Sequence, residues 1–309
     1  MIEELRALAQ SQNGVILTRD VTAMGFDRNG ARAVLRHLFR IGHGVYSVER
    51  PRNPQHLHFL RTIAALRVHL GAIASHVSAA VVHRLPLHRP DLSVVHLSCT
   101  GPGHGGIRAG TQIHRLARAT PVQVDGVPVT PVDQTLIDCA RTQSRDTAVV
   151  MADYALHMRR VTAEQLQEAL SLSGQAWGIS RARTVVALAD GRAESVGETR
   201  ARLICVDAGV AVTPQVEVRD HLGHLLARID LGVDGLPLGI EFDGQGKYRD
   251  YLDTDDSPEQ KYWEEKVRKE LVEDHGRILV PVYWKMLDAP KLMLARVHRG
   301  MERAHRLAS

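Results

Sequence analysis

Apolar and polar residues alternate on both sides of Asp234-Gly235. Ile229, Leu231 and Val233 precede that pair, and Leu238, Ile240 and Phe242 follow it. A period of two predicts strands, and Asp-Gly between them predicts the turn of a β-hairpin. Upstream, Glu194 to Asp207 carries Val196, Leu203, Ile204 and Val206 in a helical pattern, with Gly209 just past its end. Gln215 to Asp220 reads as a strand. Downstream, Ser257-Pro258 supplies an N-cap and a first helical position for a charged helix to about His275. Gly276 stops it, and Arg277 to Tyr283 reads as a strand. The expected order is helix, three strands, helix, strand.

The first fifty residues carry a different pattern. Ile2, Leu5, Leu8 and Ala9 mark an amphipathic helix that Gly14 breaks. Thr18 caps a short second helix, and Asp27 caps a third, from Arg28 to about Arg40. Ala31, Val34, Leu35, Leu38 and Ile41 fall on one arc of that third helix. Arg28, Arg32, Arg36 and Arg40 fall on the adjacent arc at i+4 spacing. Gly42, Gly44 and the residues after them read as a small hairpin. Three helices and a wing predict a winged helix-turn-helix whose third helix has an apolar back and a cationic front. Such arginines reach phosphates or guanine edges of double-stranded DNA.

Between about 51 and 190 the pattern is mixed and then helical. Asn53-Pro54 opens a helix to about Leu70, and Ser75 caps another. Leu92 to Cys99 and Gln112 to Arg115 read as strands, and a hairpin turns on Asp125-Gly126. Helices follow from Thr130-Pro131 and from Ser144, and Thr162 with Gln165 forms a capping box. The Gly-rich loop after Thr100 lacks the Gly-Lys-Ser/Thr of a phosphate loop. The chain is thus expected to be a multidomain protein of the α+β or α/β class. Its segments are 1–50, a winged helix-turn-helix, 51–190, a mixed then helical region, and 191–309, an αβββαβ domain.

Composition narrows the function classes. The 309 residues carry a formal net charge of +4 and 4% aromatics. The mild basicity suits a phosphate-bearing partner, and the scarcity of aromatics disfavours base stacking as the main binding mode. Cys99, Cys139 and Cys205 are far apart and odd in number, which predicts neither a disulfide framework nor a zinc cluster. No signal-like or membrane-spanning run is visible, so a cytoplasmic protein with no membrane partner is expected.

The candidate chemistry lies in the hairpin. Asp230 stands on its first strand, and Glu241 and Asp243 stand two apart on its second. Three carboxylates near one sheet face repel unless a divalent cation lies between them. Oxygen ligands suit Mg²⁺ or Mn²⁺. Glu198 on the preceding helix is a further candidate, to orient water or ligate a second ion. His76, His83, His88, His96, His104 and His114 are scattered over helix, strand and loop without regular ligand spacing, so their pattern predicts polar faces and strand ends rather than a metal site.

The order of elements, with Asp230 and then Glu241 beside a turn, resembles the PD-(D/E)XK nuclease superfamily over about residues 192–289. EFDGQGKY and EKVRKE are similar to very-short-patch-repair-like endonuclease domains. The resemblance implies Mg²⁺-dependent hydrolysis of DNA, with Asp230 and Glu241 as metal ligands and an assisting lysine two residues after the Glu. Asp243 occupies that position here, and Lys247 or Lys266 would supply the charge. Over about residues 1–170, the N-terminal pattern with SHVSAAVVHRLPL and GVPVTPVDQTLIDCA resembles AbiEi-type antitoxins of type IV toxin–antitoxin systems. That resemblance implies operator binding and a nucleotidyltransferase-type toxin as partner. Two functions follow: a DNA-binding metal-dependent endonuclease, and an antitoxin-type transcriptional regulator with an inactive nuclease-like domain.

Overall fold

A computed structural model describes residues 2–100, 106–115, 120–243 and 258–308. The protein is of mixed α+β class and divides into two compact units, Met1–Ala155 with Arg159–Leu188, and Leu156–Met158 with Ala189–Ser309. No helix among the described residues is long and apolar enough to cross a membrane.

The first unit opens with α1 (Ile2–Ser11), β1 (Val15–Leu17), α2 (Thr18–Ala23), α3 (Arg28–Leu35), β2 (Phe39–Gly42) and β3 (Val45–Ser47). The three strands form a sheet in the order β1-β3-β2, all antiparallel. Leu5, Ala9, Ile16, Val21, Ala31, Val34 and Leu35 close the core beneath it. Asp27 caps α3 as the sequence suggests, accepting the Gly30 N–H at 2.7 Å. The helix ends at Leu35, short of the Arg40 expected from periodicity. Phe39–Gly42 joins the sheet instead, and Ile41 is buried from a strand. Pairing with β3 outweighs the helical spacing of the arginines, a tertiary override of local pattern.

There follow α4 (Pro54–Val68), β4 (Ile73–Ala74), α5 (His76–Val82), β5 (Val95–Cys99), β6 (Ile107–Arg108), β7 (Thr111–Arg115), β8 (Val122–Val124) and β9 (Val127–Val129). Four helices complete the series: α6 (Val132–Thr142), α7 (Arg145–His157), α8 (Ala163–Leu172) and α9 (Ile179–Leu188). The strands form a six-stranded sheet, β6-β7-β5-β4-β9-β8. Asn53 caps α4 through the His56 N–H, and the Thr162–Gln165 capping box on α8 is formed in both directions. Asp125 and Gly126, at φ 50° and 76°, make the tight turn between β8 and β9. Val15, Leu17 and Ile41 share one core with Leu60, Ile63, Ala74, Val127 and Val129. Residues 1–50 and the segment after them are therefore packed as one body.

The second unit contains α10 (Val196–Asp207), β10 (Val212–Arg219), β11 (Leu225–Val233), β12 (Leu238–Asp243), α11 (Pro258–Asp274), β13 (Ile278–Tyr283), α12 (Trp284–Leu287) and α13 (Pro290–Ala308). The sheet order is β10-β11-β12-β13, antiparallel except for the parallel pair β12–β13. Leu231, Ile240 and Val280 pack with Ala201, Cys205, Met293 and Val297. Val272 of α11 packs with Val218, Ala227 and Ile229 in a separate cluster. Asp234-Gly235 turns the hairpin, with Gly235 at φ 77°.

Candidate functional site

The hairpin pairs Leu231 with Ile240 and Val233 with Leu238. Strict alternation would put Ile229 on the same side as Leu231. It packs instead in the Val272 cluster, while Leu231 lies in the other. Asp230 sits at this change of face. Its Oδ2 accepts the Phe242 N–H at 2.7 Å, so its carboxylate takes a ladder position and lies next to the residue that follows Glu241. The strands that carry Asp230 and Glu241, β11 and β12, are the two inner strands of the sheet. By the β10–β11 register, Gln215 stands opposite Asp230, at the unusual φ of 54°.

Glu198 is buried at 3% exposure. Its Oε1 accepts the Ser195 hydroxyl at 2.7 Å. Its Oε2 accepts the Glu194 N–H at 2.9 Å and the Gln215 amide at 3.1 Å. Ser195 in turn caps α10 through the Glu198 N–H. Glu198 is thereby a capping residue that fixes the start of α10 and reaches, through Gln215, the strand position beside Asp230. Gly197 makes this approach feasible: a Cβ there would lie 2.1 Å from the Phe242 ring.

Glu241 is also buried, and Arg268 of α11 meets it with both terminal nitrogens, at 2.8 and 3.3 Å. Arg268 also donates to the Arg228 carbonyl at 3.0 Å. Lys266 lies elsewhere, 3.8 Å from Glu270 and over the Trp263 ring at 5.0 Å. Lys247 lies outside the described residues. Asp243 ends β12, half-buried and paired in register with Tyr283. The expected convergence of Asp230, Glu241 and Asp243 on one ion is corrected: among the described residues they do not form a three-ligand cluster within one ion's reach. Each of the first two is drawn into its own hydrogen bonds.

Arg28 and Arg32 are exposed on α3, and Arg36 is exposed at its C-cap. Arg40 departs from the stripe, because it lies on β2 and donates to the Gly42 carbonyl at 3.2 Å.

The histidines hold what the sequence pattern missed. His76 opens α5, His96 lies on β5 and His114 on β7. The parallel β5–β7 register pairs Ser98 with His114, which puts His96 and His114 on one face. One ligand nitrogen from each of the three lies within 4.8 Å of the others. His96 Nδ1 is 2.9 Å from His114 Nε2, and the His76 and His114 rings stack with centroids 3.9 Å apart. Burial, and then the neighbouring rings, hold His76 well below the usual imidazole range. Burial also brings His96 and His114 down to about 4. The buried Asp138 is pushed up to about 6 by loss of solvent. A cavity of about 550 Å³ lies beside His76 and His114 and is lined also by Ser98, Gln134, Asp138 and Arg141. By contrast, His83 is bonded through Nε2 to the Thr130 carbonyl at 2.7 Å, as a core histidine would be, and His104 lies outside the described residues.

No family model matches the chain. It is similar to two proteins of Mycobacterium tuberculosis, the uncharacterized proteins MT2308 (strain CDC 1551 / Oshkosh) and Rv2248 (strain H37Rv). Each is 26% identical over 275 residues, covering 86% of this chain and 93% of the relative. That length exceeds either compact unit, so the similarity runs through both. The long-range strand pairs that gather the histidines, and the 27-residue separation of Arg268 from Glu241, leave no periodic signal in the sequence. Residue type at those positions was the one available clue.

Proposed function

We propose that the chain binds double-stranded DNA through its N-terminal segment and hydrolyses DNA phosphodiesters, with Mg²⁺ or Mn²⁺, in its C-terminal unit. The observation that carries this reading is the Asp230 carboxylate held against the amide that follows Glu241, on an α-β-β-β-α-β frame. The donor set fits a hard cation. Both side chains offer carboxylate oxygens, the ligand type that Mg²⁺ and Mn²⁺ prefer. Asp230 and Glu241 would hold the ion, which supplies Lewis acidity and a more acidic water. Arg268 takes the role that the resemblance gives to a lysine: a fixed positive charge beside Glu241, placed to stabilise a phosphate's developing charge. Glu198 and Gln215 position the strand that carries Asp230. In the N-terminal segment, α3 and the β2–β3 hairpin act as recognition helix and wing, and Arg28, Arg32 and Arg36 meet the phosphates. Such a protein works in the cytoplasm.

A second reading has an observation of its own. The Arg268–Glu241 pair and the Asp243 in place of lysine suit an inactive nuclease-like unit in an antitoxin-type regulator, with a nucleotidyltransferase-type toxin as partner. Calorimetric titration with Mn²⁺ separates the two. A nuclease should show binding that Asp230→Asn and Glu241→Gln each weaken at least tenfold. Equal affinity in the wild type and both variants would remove the acidic pair as a metal site and leave the regulator.

A further inference from the structure

We propose that His76, His96 and His114 bind one divalent transition-metal ion of the Zn²⁺ type, with its remaining coordination position open to the adjoining cavity. This site lies in the first unit and is independent of the acidic pair. Imidazole nitrogen is a ligand of zinc and its neighbours, and three protein ligands with an open fourth position is the arrangement of reactive zinc sites. The three histidines come from a helix start and two adjacent parallel strands, so their backbone positions are fixed by the sheet. A tetrahedral ion with Zn–N near 2.0–2.1 Å needs nitrogens about 3.3 Å apart. From the present 2.9 Å between His96 Nδ1 and His114 Nε2 that spacing takes a shift of about half an ångström, and ion binding also turns the stacked rings so that their in-plane lone pairs converge.

The surroundings support a built site. His76 stands at the first position of α5 with φ 51°, which fixes where its ring leaves the backbone. The His76 Nδ1 lies 3.0 Å from the Ser75 hydroxyl and 3.9 Å from Asp138 Oδ2. The Ser75 hydroxyl thus engages Nδ1, and with Nδ1 so held Nε2 is the ring nitrogen left for the ion. Arg141, the nearby cation, is ion-paired with Asp138 at 3.1 Å. The cavity of about 550 Å³ has room for water or a small anionic ligand on the ion.

The test is a cobalt titration of the full, untagged chain, stripped with EDTA and dialysed. Co²⁺ replaces Zn²⁺ in nitrogen sites and absorbs visible light strongly when tetrahedral. The expected result is a visible band that saturates at one equivalent, is bleached by one equivalent of Zn²⁺, and is retained in Asp230→Asn. It should be lost in His96→Gln and in His114→Gln, which keep polar side chains of similar size and should keep the wild-type far-UV circular dichroism. The wild type should also gain thermal stability with Zn²⁺, and His114→Gln should not. Absence of the band in the wild type would overturn the proposal and leave the rings as a metal-free hydrogen-bonded stack. So would a band of undiminished intensity in both histidine variants. Loss of the band in Asp230→Asn alone would assign the ion to the acidic pair instead.

Discussion

Glu241 is the residue on which most of the local electrostatics turn. It is 6% exposed and its charge is met by Arg268 at 2.8 Å. Removing the guanidinium leaves a buried carboxylate without its strongest partner, so Arg268→Ala should cost about 1–3 kcal/mol in urea unfolding. Glu241→Gln in the same background should recover much of that loss, because the unpaired charge goes with it. A second residue-scale expectation concerns His58, bonded to the Ser78 hydroxyl at 2.8 Å and held down to about 4 by burial. Unfolded, it titrates near 6.5, so as pH falls from 6.5 towards 4 the unfolded chain takes up the proton first. Its contribution is full above 6.5 and lost on the way down. At pH 5 the loss is about 2 kcal/mol relative to pH 7. Asp138, raised to about 6, works the other way between its ordinary value and 6 and offsets part of this. The difference between the wild type and His58→Gln, measured by urea unfolding at pH 7 and pH 5, isolates the histidine; equal pH dependence in both would refute the assignment.

At the scale of elements, local signals were legible where a single turn or cap decides the backbone. Asp27, Asn53, the Thr162–Gln165 box and the Asp234-Gly235 turn all act as their residue types suggest. What failed was length and face. The arginine spacing extends the third helix to Arg40, but Ile41 is worth more buried on β2. Alternation carries Ile229 with Leu231, but the strand changes face at Asp230 to satisfy the Phe242 amide with a side chain. The α13 helix went unforeseen. Two expectations follow. Gly197→Ala would drive a methyl into the Phe242 ring and push α10 away from β12. An overpacking cost of about 1–3 kcal/mol should appear in thermal unfolding. Replacing Arg28, Arg32 and Arg36 with alanine should weaken duplex binding at every sequence and lower the salt slope by about one unit for each phosphate left without its cation. Unchanged affinity across a salt series would remove α3 from the DNA interface.

At the scale of the whole molecule, the chain carries two chemically distinct candidate sites in two compact units, one of nitrogen ligands and one of oxygen ligands. The similarity to the two mycobacterial proteins, over 275 residues, extends beyond either unit alone. The pairing of the strands that carry Asp230 and Glu241 was legible from sequence because a short turn joins them. The histidine site was not, because β5 and β7 must pair first. The most direct test of the acidic site is the rate at which purified protein nicks supercoiled plasmid in Mg²⁺. Asp230→Asn keeps an oxygen for the Phe242 amide and removes one charge, so it should fold and bind DNA as the wild type does. The wild type should nick the plasmid and stop in EDTA, Asp230→Asn should abolish nicking, and Arg268→Ala should slow it about a hundredfold. Metal-dependent nicking at an equal rate in the Asp230→Asn protein, or no nicking by the wild type in Mg²⁺ or Mn²⁺, would contradict a hydrolytic role for the acidic pair.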